Sequence, residues 1–221
     1  MPLKVVPRRD RKMNRLVKKA RVRSLSRGEV LFGPGDPAET VFLVKEGHLQ
    51  ITTPPREGRG ARVVQVVGPW ELGGEEGLVG GSRRRSRGLA GEGSSIVVLD
   101  GGQVNNVLRT AAKTLEAFVA AKQEELELAR TLAGLRRRGG ARRRLAGLLL
   151  HLVDRLGRRE GEEILLSLRL THAVMADLSA CHRSTVTTLL NDWLYRRILR
   201  DEEGGIRIRA PEALRREAGS R

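Results

Sequence analysis

Hydrophobic residues recur along this chain with two different periods, and the change from one to the other divides it. Between residues 22 and 102 they come in short runs of four to six residues, at 29–32, 40–45, 48–52, 62–67 and 96–99. Gly33-Pro34-Gly35-Asp36, Glu46-Gly47, Pro54-Pro55 and Gly58 separate these runs. Many short strands with turn residues at near-regular spacing predict an antiparallel β-barrel or jelly roll. Gly35 and Gly47 fall where the chain must reverse and are expected at positive φ.

From residue 103 the period lengthens to three and four. Val104, Val107, Leu108, Leu115 and Phe118 lead an apolar stripe that predicts one long helix over 103–138. Glu124, Glu127 and Arg130 fill its other face, and Lys122 and Glu125 fall near the apolar stripe. About 30 residues is long for a lone helix of a globular domain, and the stripe is more than one barrel would cover. Arg136-Arg137-Arg138-Gly139-Gly140 then reads as a hinge, since two glycines end the helix. Leu145, Leu148, Leu149, Leu152 and Val153 mark a further helix capped by Gly157, and 162–170 reads as a short strand.

Residues 170–200 carry the clearest local pattern. A short helix holding Met175 and Ala176 starts after Thr171, a side chain suited to cap it. Ser179-Ala180-Cys181 makes a tight turn, and a second helix begins near Arg183 with Val186, Leu189, Leu190, Trp193 and Leu194 on one face. Two helices meeting steeply across a small-residue turn form a DNA-binding helix-turn-helix, whose second helix enters the major groove. His182, Arg183, Ser184, Thr187 and Thr188 would face the groove, where Arg reads guanine with two hydrogen bonds and Ser or Thr reaches bases or phosphates. Thr171 and the basic residues Arg142 and Arg143 are further candidates for phosphate contact. The same spacing also fits a plain helical hairpin with a solvated polar face. Alternating residues at 198–200 and 206–209 around Gly204-Gly205 add a β-hairpin, which makes the motif a winged helix.

Charge sharpens this picture. The 221 residues hold 42 Lys+Arg and 26 Asp+Glu, a formal +16, with a pI near 11.3. That balance favours a polyanionic partner, although an Arg-rich proteome would give it too. Aromatics at 3% argue against single-strand binding by base stacking. Residues 1–27 alone hold 11 Lys/Arg against Asp10. Residues 1–21 therefore read as a basic arm for DNA phosphates or an acidic surface of RNA polymerase, or as a solvated terminus, with a short helix around 13–22.

Other chemistry is sparse. The single cysteine, Cys181, excludes an internal disulfide and a cysteine-ligated cluster, and fits a reducing cytoplasm without requiring one. His48, His151, His172 and His182 show no metal-ligand spacing. No nucleophile–base constellation points to an enzyme. No apolar run approaches the length of a membrane span, and no signal-peptide core is expected. The rival readings are a barrel-containing signalling adaptor and a non-specific basic nucleic-acid-binding protein.

The run GEVLFGPGDPAETVFLVKEGHLQI, then GPWELGGEEGL and RRRS, resembles the effector domain of the cAMP receptor protein/FNR family of transcription regulators. The helix-turn-helix resembles that family's DNA-binding domain, and GDPAE is similar to its nitrogen-control branch. The resemblance covers about residues 22–214. It implies an α+β protein: a basic arm over 1–21, a β-barrel effector domain over 22–102, a dimerisation helix over 103–138 and a winged helix-turn-helix over 139–221. It implies a homodimer, with Leu115, Phe118, Val119, Leu126, Ala129 and Ala133 on the seam, that binds double-stranded DNA and RNA polymerase. Family members that bind cAMP hold it with a Gly-Glu pair and an Arg-Ser pair ten residues on, which here are Gly74-Glu75 and Arg85-Ser86. Arg83, Arg84 and Arg87 crowd that loop, so the effector could be cAMP, another anion such as 2-oxoglutarate, or none. Ser184 and Thr188 replace the family's Glu and Arg, which implies a different operator.

Overall fold

The computed structural model describes residues 11–55, 60–80, 83–138 and 140–219, with backbone alone at 128 and 131–138. The chain divides within one helix into two compact units, one ending at Lys122 and one beginning at Gln123.

Among its described residues the first unit opens with α1 (Arg11–Lys19) and holds eight strands. They are β1 (Arg21–Leu25), β2 (Val30–Phe32), β3 (Thr40–Glu46), β4 (Leu49–Thr52), β5 (Val63–Val67), β6 (Leu72–Gly73), β7 (Arg87–Ala90) and β8 (Ser94–Asp100). A short 3-10 helix, Glu75–Leu78, follows β6. Two four-stranded antiparallel sheets result, ordered β1-β8-β3-β6 and β2-β7-β4-β5. The expected barrel does not close into one ladder: the unit is a two-sheet, jelly-roll-like sandwich.

Strand β3 shows why. Its apolar run is buried on both faces, and side chains alternate between two cores. Phe42 and Val44 join Leu49, Ile51, Val67 and Ala90 between the sheets. Val41 and Leu43 turn the other way, onto Met13, Val104, Val107 and Leu108 of the helices. Ile96 and Val97 of the paired β8 divide in the same manner. Gly35 and Gly47 have the expected positive φ, 91° and 72°. At Gly47 a Cβ would also come within 2.4 Å of Ser94 Oγ.

Helical periodicity misjudged one boundary. In place of one helix over 103–138 there are α2 (Gly101–Thr110) and α3 (Ala112–Arg138), broken at Ala111. The Asp100 side chain caps α2 by accepting from the Gln103 N–H at 2.8 Å. At its other end Thr110 Oγ1 donates to the Asn106 carbonyl, a local bond that weakens helix continuation. The break frees α3 to present a different face. Leu115, Val119 and Leu126 are 43–50% exposed there, and Ala129 is exposed. Phe118, placed above on the seam, packs against its own unit's sheet. The side chain of Ala133 lies outside the described residues. The basic arm is no solvated tail between Arg11 and Lys19: Met13 is fully buried, and Leu16 and Val17 pack on the same core. Residues 1–10 lie outside the described residues.

The second unit runs α4 (Ala141–Leu156), β9 (Arg158–Glu160), β10 (Glu163–Leu166), α5 (His172–Ser179), α6 (Arg183–Tyr195), β11 (Leu199–Glu202), β12 (Gly205–Ile208) and α7 (Pro211–Ala218). Its sheet is antiparallel, ordered β11-β12-β10-β9. The apolar faces of α4 and α6 are buried, with Trp193 at 0% exposure. Of the hinge, Gly140 precedes α4 in an extended conformation, and Gly139 lies outside the described residues.

One histidine is embedded in these cores and another, His151, is half-buried on α4. His48 is fully buried, its Nδ1 3.0 Å from Glu92 and its Nε2 3.2 Å from the Gln50 amide. Burial holds its pKa below the usual value despite Glu92. Burial, with Arg155 beside it, pushes His151 down to about 4. Below pH 6.5, the ordinary imidazole value, the unfolded chain therefore binds more protons than the fold does. Stability should fall as pH drops, by up to ~1.4 kcal/mol per pH unit for each group. Urea midpoints should be level from pH 8 to 7 and decline toward pH 5, with a shallower decline in His151→Gln. A level profile down to pH 5 contradicts this.

Candidate nucleic-acid interface and effector pocket

In the second unit Thr171 starts α5, its Oγ1 accepting from the Val174 N–H at 3.2 Å. The helix ends in a left-handed residue, Ala180, at φ 52° and ψ 44°. Such a turn closes the last carbonyls, here through Cys181 N–H to Ala176 O at 3.0 Å. A residue other than glycine is strained there, and Arg144 of α4 holds it, donating to the carbonyls of Ser179 at 3.0 Å and Ala180 at 3.2 Å. Arg144 was legible in the sequence only as one of three arginines. Ser179 is fully buried, but its hydroxyl donates to Met175 O at 2.6 Å, which lets a serine stand at an apolar position. Cys181 is half-buried against Ala141 O and Arg144.

The turn sets the start of α6, where His182, Arg183 and Ser184 are exposed. Thr188 is exposed one turn on and donates to Ser184 O at 3.1 Å. Thr187 is half-buried and engaged within the motif. Its hydroxyl donates to Arg183 O at 3.1 Å and accepts from His172 Nδ1 at 2.8 Å. Thr171 is likewise engaged as a cap. Arg142 is tied to Asp192 at 2.8 Å and Glu217 at 2.9 Å, and Arg196 joins the same two carboxylates. Arg142 first, and Arg196 after it, hold the Asp192 carboxyl below its usual range. Arg142 thus links α4, α6 and α7, where a free phosphate contact was expected. Arg143 is exposed, with Gly219 lying close to its guanidinium.

The loop between β6 and β7 in the first unit centres on Arg84, which is 2% exposed. Its Nη1 donates to Gly74 O at 2.8 Å and to Glu76 Oε2 at 3.2 Å. Its Nη2 donates to Thr40 O at 2.5 Å. The guanidinium carbon lies 4.7 Å from the Phe32 ring and 5.2 Å from the Phe42 ring. The rings stack at 5.3 Å. Among the described residues Arg84 Nε is buried without a hydrogen-bond partner. Gly74 stands at φ 74°, and a Cβ there would come within 2.8 Å of Arg84 Nη1. Glu75 pairs with Lys122 of α3. Arg85 is exposed and Ser86 half-buried. The structure therefore brings Gly74 and Arg84 together, one residue short of the spacing read in the sequence. Strand alternation carried the missed signal: Arg84 is in phase with the inward Gly88 and Ala90, and Arg85 with the outward Arg87. Among the described residues no cluster of His, Cys, Asp or Glu is disposed to hold a metal ion.

Residues 22–111 match the family model described as cyclic nucleotide-binding domain, and residues 143–217 the one described as Crp-like helix-turn-helix domain. A CRP-like cAMP-activated global transcriptional regulator of Mycobacterium tuberculosis is 26% identical over 203 residues, covering 87% of this chain and 85% of that protein. A cyclic AMP receptor protein of Thermus thermophilus is 26% identical over 185 residues, covering 82% and 81%. Among solved structures, FixK2 from Bradyrhizobium japonicum superposes with a TM-score of 0.71 at 19% identity, over 89% of this chain and 96% of that one.

Arg142→Ala should lower the unfolding midpoint of the second unit slightly, by about 1 kcal/mol at most per half-exposed pair lost. Arg183→Ala should leave it unchanged. Equal midpoints for wild type and Arg142→Ala would show that the network contributes nothing to the fold.

Proposed function

The chain belongs to the CRP/FNR family of transcription regulators, and on that premise we propose that it acts in the cytoplasm as a homodimer on an inverted-repeat operator, under control of a small anionic effector. It is a DNA-binding protein rather than an enzyme, and RNA polymerase is the partner through which it acts. The observation that carries the DNA reading is the start of α6, where Arg183 stands exposed between His182 and Ser184 on a turn held by Arg144. Arg183 is the long donor of the set and reads guanine; Ser184 and Thr188 reach bases or phosphates, and Arg143 contacts phosphate.

Dimerisation rests on α3. Leu115, Val119, Leu126 and Ala129 follow steps of four, seven and three, a seam that a twin helix would cover. Lys122 falls on that seam, but its ammonium is paired with Glu75 of its own chain.

The effector reading rests on the Arg84 Nε hydrogen, a buried donor with no partner among the described residues. A buried polar group in that state is costly unless an acceptor arrives. An anion such as cAMP or 2-oxoglutarate would be held by Arg84, with Gly74 lining its approach. Glu75 would accept from a ribose hydroxyl in the first case. Binding at Glu75 competes with Lys122, which gives the pocket a physical link to α3.

Two variants test the DNA and dimer readings. Leu126→Lys should sediment as a monomer and lose operator binding; a monomeric wild type at micromolar concentration contradicts the dimer. Arg183→Ala should lose about 1–3 kcal/mol on a selected operator and far less on the guanine-substituted or random duplex. Equal losses on all three would make Arg183 a phosphate contact.

A further inference from the structure

The second unit holds a cavity that the DNA reading does not use. Its volume is about 250 Å³, and all the residues that line it belong to that unit. The floor is apolar: Leu168, Met175, Leu190 and Leu199 line it, each at most 4% exposed. The rim carries both signs of charge. Arg169, on the segment that leads into α5, and Asp201 of β11 both line the cavity. Both side chains are exposed, and among the described residues neither has an ion-pair partner. The neighbouring carboxylate, Glu202, is already taken by Arg200 and Arg207.

We propose that this cavity binds a free α-amino acid with an aliphatic side chain, its carboxylate on Arg169, its ammonium on Asp201 and its side chain on the leucine floor. Each surface of the site excludes another class of ligand. A purely apolar molecule would draw an unpaired cation and an unpaired carboxylate out of water, which is costly. A phosphate, free or on DNA, would meet the like charges of Asp201 and Glu202 and make no use of the floor. A nucleotide is too large, since drug-sized ligands fill about 300–1,000 Å³. Among the described residues no Phe, Tyr or Trp lines the cavity to stack on a base. A zwitterion with a short apolar side chain meets all three surfaces at once. Bonds between ionised partners are also the strong kind.

The walls of the cavity give its occupant a consequence. Asn191 and Leu194 come from α6, and Gly205 and Ile206 from β12. His172 of α5 lines it too, with its Nδ1 2.8 Å from Thr187 of α6. A bound amino acid therefore joins the β11–β12 hairpin to the recognition helix and orders the two together.

Calorimetric titration of L-leucine into the full chain tests this, with no DNA present, so the outcome does not depend on the operator reading. L-leucinamide, which lacks the carboxylate, and N-acetyl-L-leucine, which lacks the ammonium, are the control probes. L-leucine should bind at one site per chain, and each derivative at least about tenfold more weakly. Arg169→Gln should weaken leucine by a similar factor and leave leucinamide unchanged. Asp201→Asn should weaken leucine and leave N-acetyl-leucine unchanged. Neither side chain belongs to the core, and unchanged melting temperatures confirm the fold of both variants. Amide exchange over residues 199–206 should slow when leucine saturates the wild type. No heat from leucine at millimolar concentration overturns the proposal. So does leucine binding that both variants leave intact, which would place it elsewhere on the chain. Equal affinity for leucine and its two derivatives also overturns it, because the charged rim would then recognise nothing.

Discussion

A buried guanidinium organises the N-terminal half of this protein. A charge taken out of water is tolerated only where acceptors surround it. Arg84 gathers its acceptors from separate parts of the chain: Thr40 at the start of β3, Gly74 after β6, and Glu76 in the 3-10 helix. Phe32 and Phe42 supply the ring faces on which a cation is also favoured. Gly74 is glycine for two reasons that coincide, a left-handed backbone and the closeness of Arg84. The loop from 83 to 87 is therefore a fixed wall with one inward arginine. The charge next to it, Glu75, is held from α3 by Lys122, so the element on which dimerisation is proposed is tied to this wall.

The DNA-binding half distributes its charge in the opposite way. Its arginines hold the fold together: Arg144 at the strained turn, Arg142 and Arg196 across α4, α6 and α7, and Arg207 across the winged sheet. Exposed ion pairs are weak individually, but a shared network fixes side-chain geometry. Few cations remain for DNA at the start of α6, where Arg183 is the one long side chain.

Much of this was legible in the sequence wherever one period ruled. The short apolar runs of β3 and β8, the three–four spacing of α4 and α6, the Thr171 cap and the turn at Ala180 all follow from local chemistry. Elements set by distant partners were hidden. β1 lay inside a basic run, β7 inside an arginine-rich loop, and β6 is only two residues long. The long helix broke at Ala111 because α2 packs on the sheet while α3 turns another face, which periodicity alone cannot show. The choice between Arg84 and Arg85 turned on strand phase, since a count from Glu75 ignores which way each side chain of the loop points. Arg142 shows the same limit: its charge could be read, but its partners Asp192 and Glu217 lie 50 and 75 residues away.

The account stands most directly on the inward arginine of the first unit. Calorimetric titration of cAMP and of 2-oxoglutarate into the protein should show one of the two anions binding the wild type at one site per chain. Binding should be at least about tenfold weaker in Arg84→Lys, which keeps the charge but not the planar fork, and unchanged in Arg85→Ala. No heat from either anion, or loss of binding in Arg85→Ala with Arg84→Lys intact, would contradict the account.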